Sequence, residues 1–440
     1  MRAGGPLIAH GCAQCRGLRV NSMVRKTNSV ADWFCLQLGS REHYIIPRVL
    51  HGSERLRCLC LDAWVHPRWR SLAASVGMRS LGERYHADLA TANVRACTIS
   101  RLLFEAMATG RRLQGWGRIQ ARNAWFQRAS VSMLTGELRE RRETERRSIA
   151  FAYSYAALEP LRLLRSLGCK IVLGQIDPGP YEEEYVEKKA ASYAHLRNAR
   201  RDMAPPEYWK RAAQEWELAD RIIVNSEWSR ECMLRSGVDP AKIVTFPLAL
   251  ELGSQVDQNE KAYPSEFGDR RPMRVLFLGQ VVLRKGVGQL FDAIQLLNHL
   301  PIHFTFAGPV SVRIPDFIKN SNRVTFVGPV TRQQTQELYK SADLFILPTL
   351  SDGFALTQLE ARAQRLPCIV SQNCGRVVEN AVDGIVIDDV SPDVIARVLA
   401  DCSSRPMLLR ELSRNISLGH AYSAASLLDN LMQLEADLFA

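Results

Sequence analysis

A short loop and the helix that follows it carry the residues whose spacing most suggests chemistry. The loop reads Asp352-Gly-Phe-Ala, follows the apolar residues 343–347 and precedes a helical pattern that contains Glu360. A helix start offers unpaired backbone N–H groups and the positive end of its dipole, so this loop could hold an anion such as a diphosphate. An ordinary surface loop, with Asp352 as a helix cap and Glu360 in solvent, explains the same residues equally well.

A second loop of the same kind lies earlier in the chain. It runs from Gly279 to Gly286, follows the apolar residues 273–278 and precedes a helical pattern over 287–297. Arg284 and Lys285 near its end could hold phosphate by charge at the edge of a parallel sheet. A basic pair alone is weak evidence for a phosphate site.

The first part of the chain supplies further candidates at strand ends. Ligands of open parallel sheets bind beyond the carboxyl ends of the strands, and residues 32–38 and 170–174 both read as strands. The candidates that follow the first of these strands are Gly39, Arg41, Glu42 and His43. A capped surface loop is the alternative interpretation of residues 39–43.

These loops belong to a chain in which strand and helix patterns alternate. Strands at 32–38, 56–61, 149–153, 170–174 and 221–224 are separated by helical patterns, among them a helical region that reaches Leu89 and an acid-rich helix over 181–201. The alternation restarts at residue 273 after a polar, turn-rich stretch at 252–271. Alternation of this kind predicts parallel sheets with helical crossovers. Because single cores rarely exceed about 300 residues, the 440 residues predict two domains.

Composition and cysteine content indicate the cellular compartment that we expect for the protein. There is no run of about 18 uncharged apolar residues, and the first 30 residues lack the apolar core of a signal peptide, so we expect a cytoplasmic protein whose start is Met1 or Met23. The eleven cysteines are an odd number scattered through apolar runs, which indicates free thiols, and the Cys12/Cys15 pair is a weak candidate for a zinc or redox site.

The positive charge is concentrated at the start of the chain. The net charge is +11, and residues 1–150 alone carry 25 Lys and Arg against 11 Asp and Glu. Such a field favours an acidic partner. Arginines and aromatic residues alternate over 111–128, which predicts either contact with an anionic membrane or a core stripe with a solvated basic face. No nucleic-acid-binding motif is present.

Several motifs in order resemble one family. They are Ala219-Asp-Arg-Ile-Ile-Val-Asn-Ser-Glu-Trp-Ser, the 279–286 loop, the stretch from Asp352 to Glu360, Asn373-Cys-Gly-Arg-Val-Val-Glu and Asp383-Gly-Ile-Val-Ile. Together they resemble the retaining, two-domain (GT-B) glycosyltransferases of family 4, group 1 type. Three positions depart from the family: Asp352 replaces the usual Glu, Ala355 a common Gly, and Gln280 the usual Arg.

The resemblance implies two Rossmann-like, doubly wound α/β domains that face a cleft, with no metal or cofactor. It places Asp352 near the donor sugar, Glu360 on the ribose, and Lys285 with Arg284 on the leaving diphosphate. The other donor-binding positions that it implies are Gly279, Gln280, Gly308, Val330, Gly353, Phe354, Ala355 and Leu356, and the strand-end argument adds Gly39. Many relatives have a His after the fourth or fifth strand that touches the donor sugar, and Gln175 and Asp177 occupy the comparable strand end here. The predicted division is an N-terminal extension at 1–30, an acceptor domain at 31–251, a linker at 252–271, a donor domain at 272–415, and a helix at 416–440 that crosses back.

The sequence thus predicts a retaining sugar transferase that moves a sugar from a nucleoside diphosphate to a glycan or lipid-linked acceptor, with membrane contact at the inner face as a further option. Two alternatives remain open. One is a sugar-nucleotide epimerase or hydrolase on the same fold. The other is a non-catalytic protein with a degenerate cleft and a basic first domain that binds lipid or nucleic acid.

Overall fold

The computed structural model describes residues 30–69, 84–139, 147–198, 203–250 and 260–440. The predicted N-terminal extension up to residue 29, the Cys12/Cys15 pair and Met23 lie outside the described residues. Among the described residues, no helix is both long and apolar enough to cross a membrane.

The first sheet is built from seven strands: β1 (Asp32–Gln37), β2 (Leu56–Leu61), β3 (Val94–Ala96), β4 (Ser148–Tyr153), β5 (Lys170–Gly174), β6 (Arg221–Val224) and β7 (Ile243–Thr245). All pairs are parallel and the spatial order is β3-β2-β1-β4-β5-β6-β7. Every residue of β1 and β4 is buried. Burial of both faces explains their almost continuous apolar sequences.

The helices around this sheet are α1 (Ile45–Gly52), α2 (Thr98–Gly110), α3 (Gly115–Arg139), α4 (Leu158–Ser166), α5 (Pro180–Lys189), α6 (Pro206–Leu218) and α7 (Glu227–Arg235). Alternate side chains of β1 point to opposite faces of the first sheet, as expected for a strand. Phe34 and Leu36 pack with α3, α4 and α6, whereas Trp33 and Cys35 pack with α1.

The second sheet has six parallel strands: β8 (Met273–Leu278), β9 (Ile302–Ala307), β10 (Val324–Gly328), β11 (Leu344–Leu347), β12 (Cys368–Ser371) and β13 (Gly384–Ile387). Their order is β10-β9-β8-β11-β12-β13. The helices of this region are α8 (Val287–Leu296), α9 (Asp316–Lys319), α10 (Arg332–Ser341), α11 (Leu356–Ala363), α12 (Pro392–Ser404) and α13 (Pro406–Asn415). The predicted fold class, two doubly wound α/β domains, is confirmed.

The last helix, α14 (Ala424–Phe439), belongs to the first domain's core although it ends the chain. Its buried leucines are Leu427, Leu431, Leu434 and Leu438. Glu435 on the same helix accepts hydrogen bonds from the backbone N–H of Ala31 (3.0 Å) and from Nε1 of Trp33 (2.8 Å).

The structure differs from the sequence interpretation in two regions. A helical region was expected up to Leu89, but the described residues there form only short 3-10 turns at Pro67–Trp69 and Ala87–Leu89. One helix was expected over 181–201, but α5 ends at Lys189 and a 3-10 turn, Ala191–Leu196, follows. The helix ends because the next residues turn into the core of the second domain.

The aromatic residues of the arginine-rich stretch pack toward the core, whereas Arg111, Arg112 and Arg128 are exposed. Phe126 is buried, and Trp125 stacks on Phe104 with 5.3 Å between ring centroids. Nε1 of Trp125 also donates to Oγ of Ser100 (3.0 Å). Of the two alternatives for residues 111–128, the core stripe therefore describes these aromatic residues.

Candidate functional site

Two loops of the second domain are held together where β8 and β11 end. The backbone N–H of Leu350 and Oγ1 of Thr349 both donate to the carbonyl oxygen of Arg284, at 2.9 and 3.1 Å. Gly286 lies in the left-handed region (φ +70°), and a Cβ there would lie 1.8 Å from the carbonyl oxygen of Pro348. Only glycine fits such a backbone-to-backbone approach.

This junction places two cations beside one carboxylate. Nζ of Lys285 forms an ion pair with Oδ2 of Asp352. A guanidinium nitrogen of Arg284 donates to the carbonyl oxygen of Ser351 (2.7 Å) and lies 3.8 Å from Oδ2 of Asp352. Burial alone would raise the pKa of Asp352, but Lys285 and then Arg284 outweigh it and hold that pKa below its ordinary value.

The start of α11 lies next to this charge cluster. Ala355 precedes the helix with φ +64°, and no side chain among the described residues caps the first turn. The left-handed conformation costs a non-glycine residue roughly 1–2 kcal/mol, which explains why glycine suits this position. The uncapped amides of the first turn remain available to an anion.

A cleft of about 670 Å³ lies between the two domains and is lined by residues from both. Twelve of the predicted site residues line it: Arg41, Glu42, Asp177, Gly279, Gln280, Arg284, Lys285, Asp352, Gly353, Phe354, Ala355 and Leu356. The cations and the helix start form the wall on the second domain. Arg41, Glu42 and Asp177 stand on the first domain, beyond the carboxyl ends of their strands.

Three predicted residues of the second domain do not line the cleft. Glu360 is turned to Tyr339, whose hydroxyl donates to its Oε2 (3.0 Å), and burial raises the pKa of this carboxyl. Val330 packs against the apolar core. Gly308 packs against Gly279, which lines the cleft, and a Cβ on Gly308 would lie 2.0 Å from the carbonyl oxygen of Gly279.

Three predicted residues of the first domain also lie outside the cleft lining. Gln175 is buried between the hydroxyl of Tyr155 (2.7 Å) and Nε1 of Trp216 (3.0 Å), so its amide is used within the fold. The backbone N–H of Gly39 donates to Asp62 (3.0 Å). His43 is exposed beside the cleft rather than in its wall.

Sequence reasoning missed Glu182 and Asn225, which line the cleft. Burial raises the pKa of Glu182 to about 7, and its Oε1 lies 3.7 Å from the Arg284 guanidinium. Asn225 packs against Gly353, where a Cβ would lie 3.0 Å from the Asn225 amide nitrogen. Both residues follow the carboxyl ends of first-domain strands, and that rule, applied to β5 and β6, could have found them.

Burial raises the pKa of two acidic groups on the first-domain wall, Glu42 and Asp177. Burial raises the pKa of Glu42 to about 7 against the opposing effect of a hydrogen bond with Tyr153. Burial also raises the pKa of Asp177, although Tyr155 and the backbone N–H of Gly179 donate to it. Residues 42–44 have φ values of 49°, 50° and 62°, an unusual run for non-glycine residues.

Direct contacts hold the Asp352 loop against the first domain. Nε1 of Trp228 donates to Oγ of Ser351 (2.7 Å), and Oγ of Ser226 donates to the carbonyl oxygen of Gly353. The loop that carries Asp352 therefore bridges the two walls of the cleft.

The chain is similar in sequence to known glycosyltransferases over its second half. Residues 272–404 match the family model described as "Glycosyl transferases group 1". A D-inositol 3-phosphate glycosyltransferase of Mycobacterium sp. (strain JLS) is 29% identical over 198 residues, which cover 42% of this chain and 45% of that protein. An uncharacterized glycosyltransferase of Methanocaldococcus jannaschii is 28% identical over 156 residues, 32% of this chain and 40% of that protein. The chain thus matches less than half the length of these relatives.

Solved structures resemble most of the chain. The Anabaena protein HepE, solved in complex with UDP and glucose, superposes with a TM-score of 0.56 and 13% identity over 92% of this chain and 100% of HepE. TarM superposes with a TM-score of 0.60 and 11% identity over 93% of this chain and 99% of TarM. At these identities the likeness establishes the fold, which is that of the GT-B glycosyltransferases.

Proposed function

We propose that this protein is a glycosyltransferase that moves a sugar from a nucleoside diphosphate sugar to an acceptor hydroxyl, with retention of anomeric configuration and without a metal. The observation that carries the proposal is one wall of the cleft, where Arg284, Lys285 and the uncapped start of α11 converge. Three positive groups on one wall suit a leaving diphosphate, whose charge grows as the glycosidic bond breaks.

The opposite wall suits the acceptor. Glu42, Asp177 and Glu182 face the cations across the cleft, and carboxylates are hydrogen-bond acceptors for sugar hydroxyl groups. In a retaining transfer the hydroxyl approaches from the face that the diphosphate leaves, and a leaving phosphate oxygen can take its proton. The first-domain acids would then orient the acceptor.

The likenesses support the donor class. The matched family model covers the region that contains Arg284, Lys285 and Asp352. HepE, a neighbour in fold, was solved in complex with UDP and glucose. We propose the same class of donor for this chain.

Calorimetric titration with UDP tests the donor site. We expect binding by the full chain and at least about a tenfold rise in Kd for Lys285→Ala, because a charge-assisted contact to phosphate is removed. Lys319→Ala, which changes an exposed lysine of α9, is the matched control and should bind as the parent does. Absence of UDP binding, together with absence of binding in a panel of other nucleotide sugars, would overturn the proposal.

Turnover assays separate the transferase from its alternatives. Donor consumption that requires an added acceptor supports transfer, whereas equal consumption without acceptor indicates hydrolysis or epimerisation. EDTA should leave the transfer rate unchanged if Arg284 and Lys285 replace a metal. A rate that falls with EDTA and returns with Mg²⁺ would contradict transfer without a metal.

We further propose that α2 rests on an anionic membrane surface. Its exposed apolar residues Ile99, Leu103 and Met107 (77%, 68% and 37% exposed) recur every four positions on one side of the helix, and Arg111 and Arg112 are exposed just beyond its end. An apolar stripe flanked by arginines complements anionic headgroups. This surface includes Arg111 and Arg112, the first two arginines of the stretch over 111–128 that the sequence suggested.

Vesicle sedimentation tests the membrane surface. We expect binding to vesicles that contain phosphatidylglycerol, weak binding to pure phosphatidylcholine, and loss of binding in Leu103→Glu. Leu167→Glu, which changes an exposed leucine outside α2, should bind as the parent does. Equal behaviour of the two variants would contradict this role of α2.

A further inference from the structure

Two more cavities adjoin the cleft on the first domain. The nearer, of about 70 Å³, shares Arg41 and Ile176 with the cleft lining. The farther, of about 350 Å³, shares Asn123, Tyr155 and Tyr208 with the nearer one. The three cavities form a row that leads from the cations of the second domain into the first domain between α3 and α6.

Two arginines line the nearer cavity: Arg41, which is exposed, and Arg122, which is half-buried. Among the described residues, neither has a carboxylate oxygen within 4.0 Å. Nε of Arg122 is buried without a hydrogen-bond partner. The like charge of Arg122 opposes the charge of Arg41, whereas Glu42 and Asp177 attract it.

Two guanidinium groups with unused donors are the usual recognition element for an oxyanion. A buried donor that lacks a partner carries a free-energy cost that a bound acceptor would relieve. At roughly 10–15 Å³ per water-sized probe, the nearer cavity holds only a handful of such positions, which suits one phosphate or carboxylate group rather than a whole sugar ring.

Aromatic rings form the wall between the nearer and the farther cavity. Tyr155 stacks on Tyr208 with 4.9 Å between centroids, and Trp116 lies 4.8 Å from Tyr208. Tyr155 is held at φ +76°, a costly conformation for a bulky residue, and its backbone N–H donates to Oε2 of Glu215 (2.6 Å). Strain of this kind persists where the surrounding structure fixes it, and it is frequent in binding sites.

We propose that the acceptor carries an oxyanion, a phosphate ester or a sugar carboxylate, which Arg41 and Arg122 bind in the nearer cavity while its sugar ring lies toward the cleft. The proposal rests on the proposed glycosyl transfer, and it names the chemical class of the acceptor and two residues that select it. Arg41 is placed to contact both the acceptor's anion and the donor cleft.

Binding to the full chain saturated with UDP tests the subsite, because UDP then fills the diphosphate position beside Lys285. The probes are glucose 6-phosphate, glucuronate and glucose, each titrated by calorimetry. We expect at least one charged sugar to bind tenfold or more tightly than glucose. A preference for glucose 6-phosphate identifies a phosphate acceptor, and a preference for glucuronate identifies a carboxylate acceptor.

Substitutions on α3 assign the effect to the cavity. Arg122→Ala should weaken binding of the preferred charged sugar at least tenfold and leave the Kd for UDP unchanged, and Arg122→Lys should restore part of the affinity. Arg139→Ala, which changes an exposed arginine of the same helix, should alter neither.

The outcomes separate the two proposals. If UDP binds but both charged sugars fail to bind, or bind no better than glucose, or are unaffected by Arg122→Ala, the anionic subsite is wrong and the donor site stands. If UDP does not bind, the proposed function fails, and the same titrations without UDP decide whether the arginines bind an oxyanion.

Discussion

Asp352 and Lys285 neutralise each other where the diphosphate of a donor would lie. The lysine is the cation that the proposed function assigns to phosphate, and the ion pair occupies it in the absence of ligand. A carboxylate beside a bound diphosphate is repelled by it, so Asp352 has to lower the affinity of the site for the nucleotide.

Replacing Asp352 by asparagine tests this competition. We expect Asp352→Asn to bind UDP several-fold more tightly, because Lys285 and Arg284 then face the diphosphate without an opposing charge. Sugar transfer should fall by about tenfold or more, because the variant loses the acid that the proposed function places beside the donor sugar. Calorimetry and a transfer assay measure the two effects, Asp316→Asn on the exposed side of the second domain is the control, and unchanged or weaker UDP binding would contradict the competition.

Glu182 contributes a pH dependence of stability with a definite sign. Its pKa rises from an ordinary 4.5 to about 7 in the folded protein, mainly through burial. Between these values the folded state holds the proton more strongly than the unfolded state. The free energy of unfolding must therefore decrease as pH rises from about 4.5 to about 7 and level off above that range.

Glu182→Gln should remove this part of the dependence. Urea denaturation at about pH 5 and about pH 8 should show a smaller difference in the free energy of unfolding than in the parent protein. Glu184→Gln, on the same helix but exposed, should keep the parental difference. An equal pH dependence in both variants would show that burial does not perturb Glu182.

The two loops after β8 and β11 act as one element. The carbonyl oxygen of Arg284 accepts from Leu350 and Thr349, and Gly286 closes against Pro348. The positions of Lys285 and Asp352 therefore depend on a single close approach of two backbones.

Gly286→Ala should disrupt this element. The new Cβ would meet a backbone oxygen and would also be held at a positive φ, so we expect the free energy of unfolding to fall by about 2–4 kcal/mol. UDP affinity should fall as well, because Lys285 moves with the loop. Gly52→Ala is the control, since no atom lies within 4 Å of a Cβ there. If Gly286→Ala were as stable as the parent protein, the close approach of the two backbones would be contradicted.

At the scale of the whole molecule, the domains are joined by more than a linker. Four residues of α5 and the segment after it are part of the core of the second domain: Val186, Ala190, Tyr193 and Leu196. The hydroxyl of Tyr193 donates to Asp292 (2.7 Å), and its ring occupies the space above Gly288, where a Cβ would lie 2.5 Å away. Large apolar contacts of this kind couple the unfolding of two domains.

Tyr193→Ala should weaken that coupling. We expect the parent to unfold in one calorimetric transition and Tyr193→Ala to unfold in two, because the second domain loses its largest contact from this segment. Tyr193→Phe keeps the ring and should keep the single transition, at a cost of about 1 kcal/mol for the lost hydrogen bond. Two transitions in the parent, or one in Tyr193→Ala, would contradict the coupling.

The sequence by itself determined the fold class and the cationic wall of the cleft. Strand and helix patterns are local, and the strands that the sequence predicted at 56–61, 170–174, 221–224 and 273–278 are the strands of the structure. The rule that ligands bind beyond strand carboxyl ends brought Asp352, Lys285 and Arg284 to one place. Local periodicity and topology were sufficient to place these three residues together because the loops that carry them follow β8 and β11, which are neighbours in the sheet.

Only the tertiary structure decided which side chains are still available to a ligand. Gln175 and Glu360 stand where the pattern placed them, but Trp216, Tyr155 and Tyr339 take up their polar atoms. The sequence also gave no sign that α5 would end at Lys189. These outcomes depend on contacts between residues far apart in the chain, and such contacts leave no local period in the sequence.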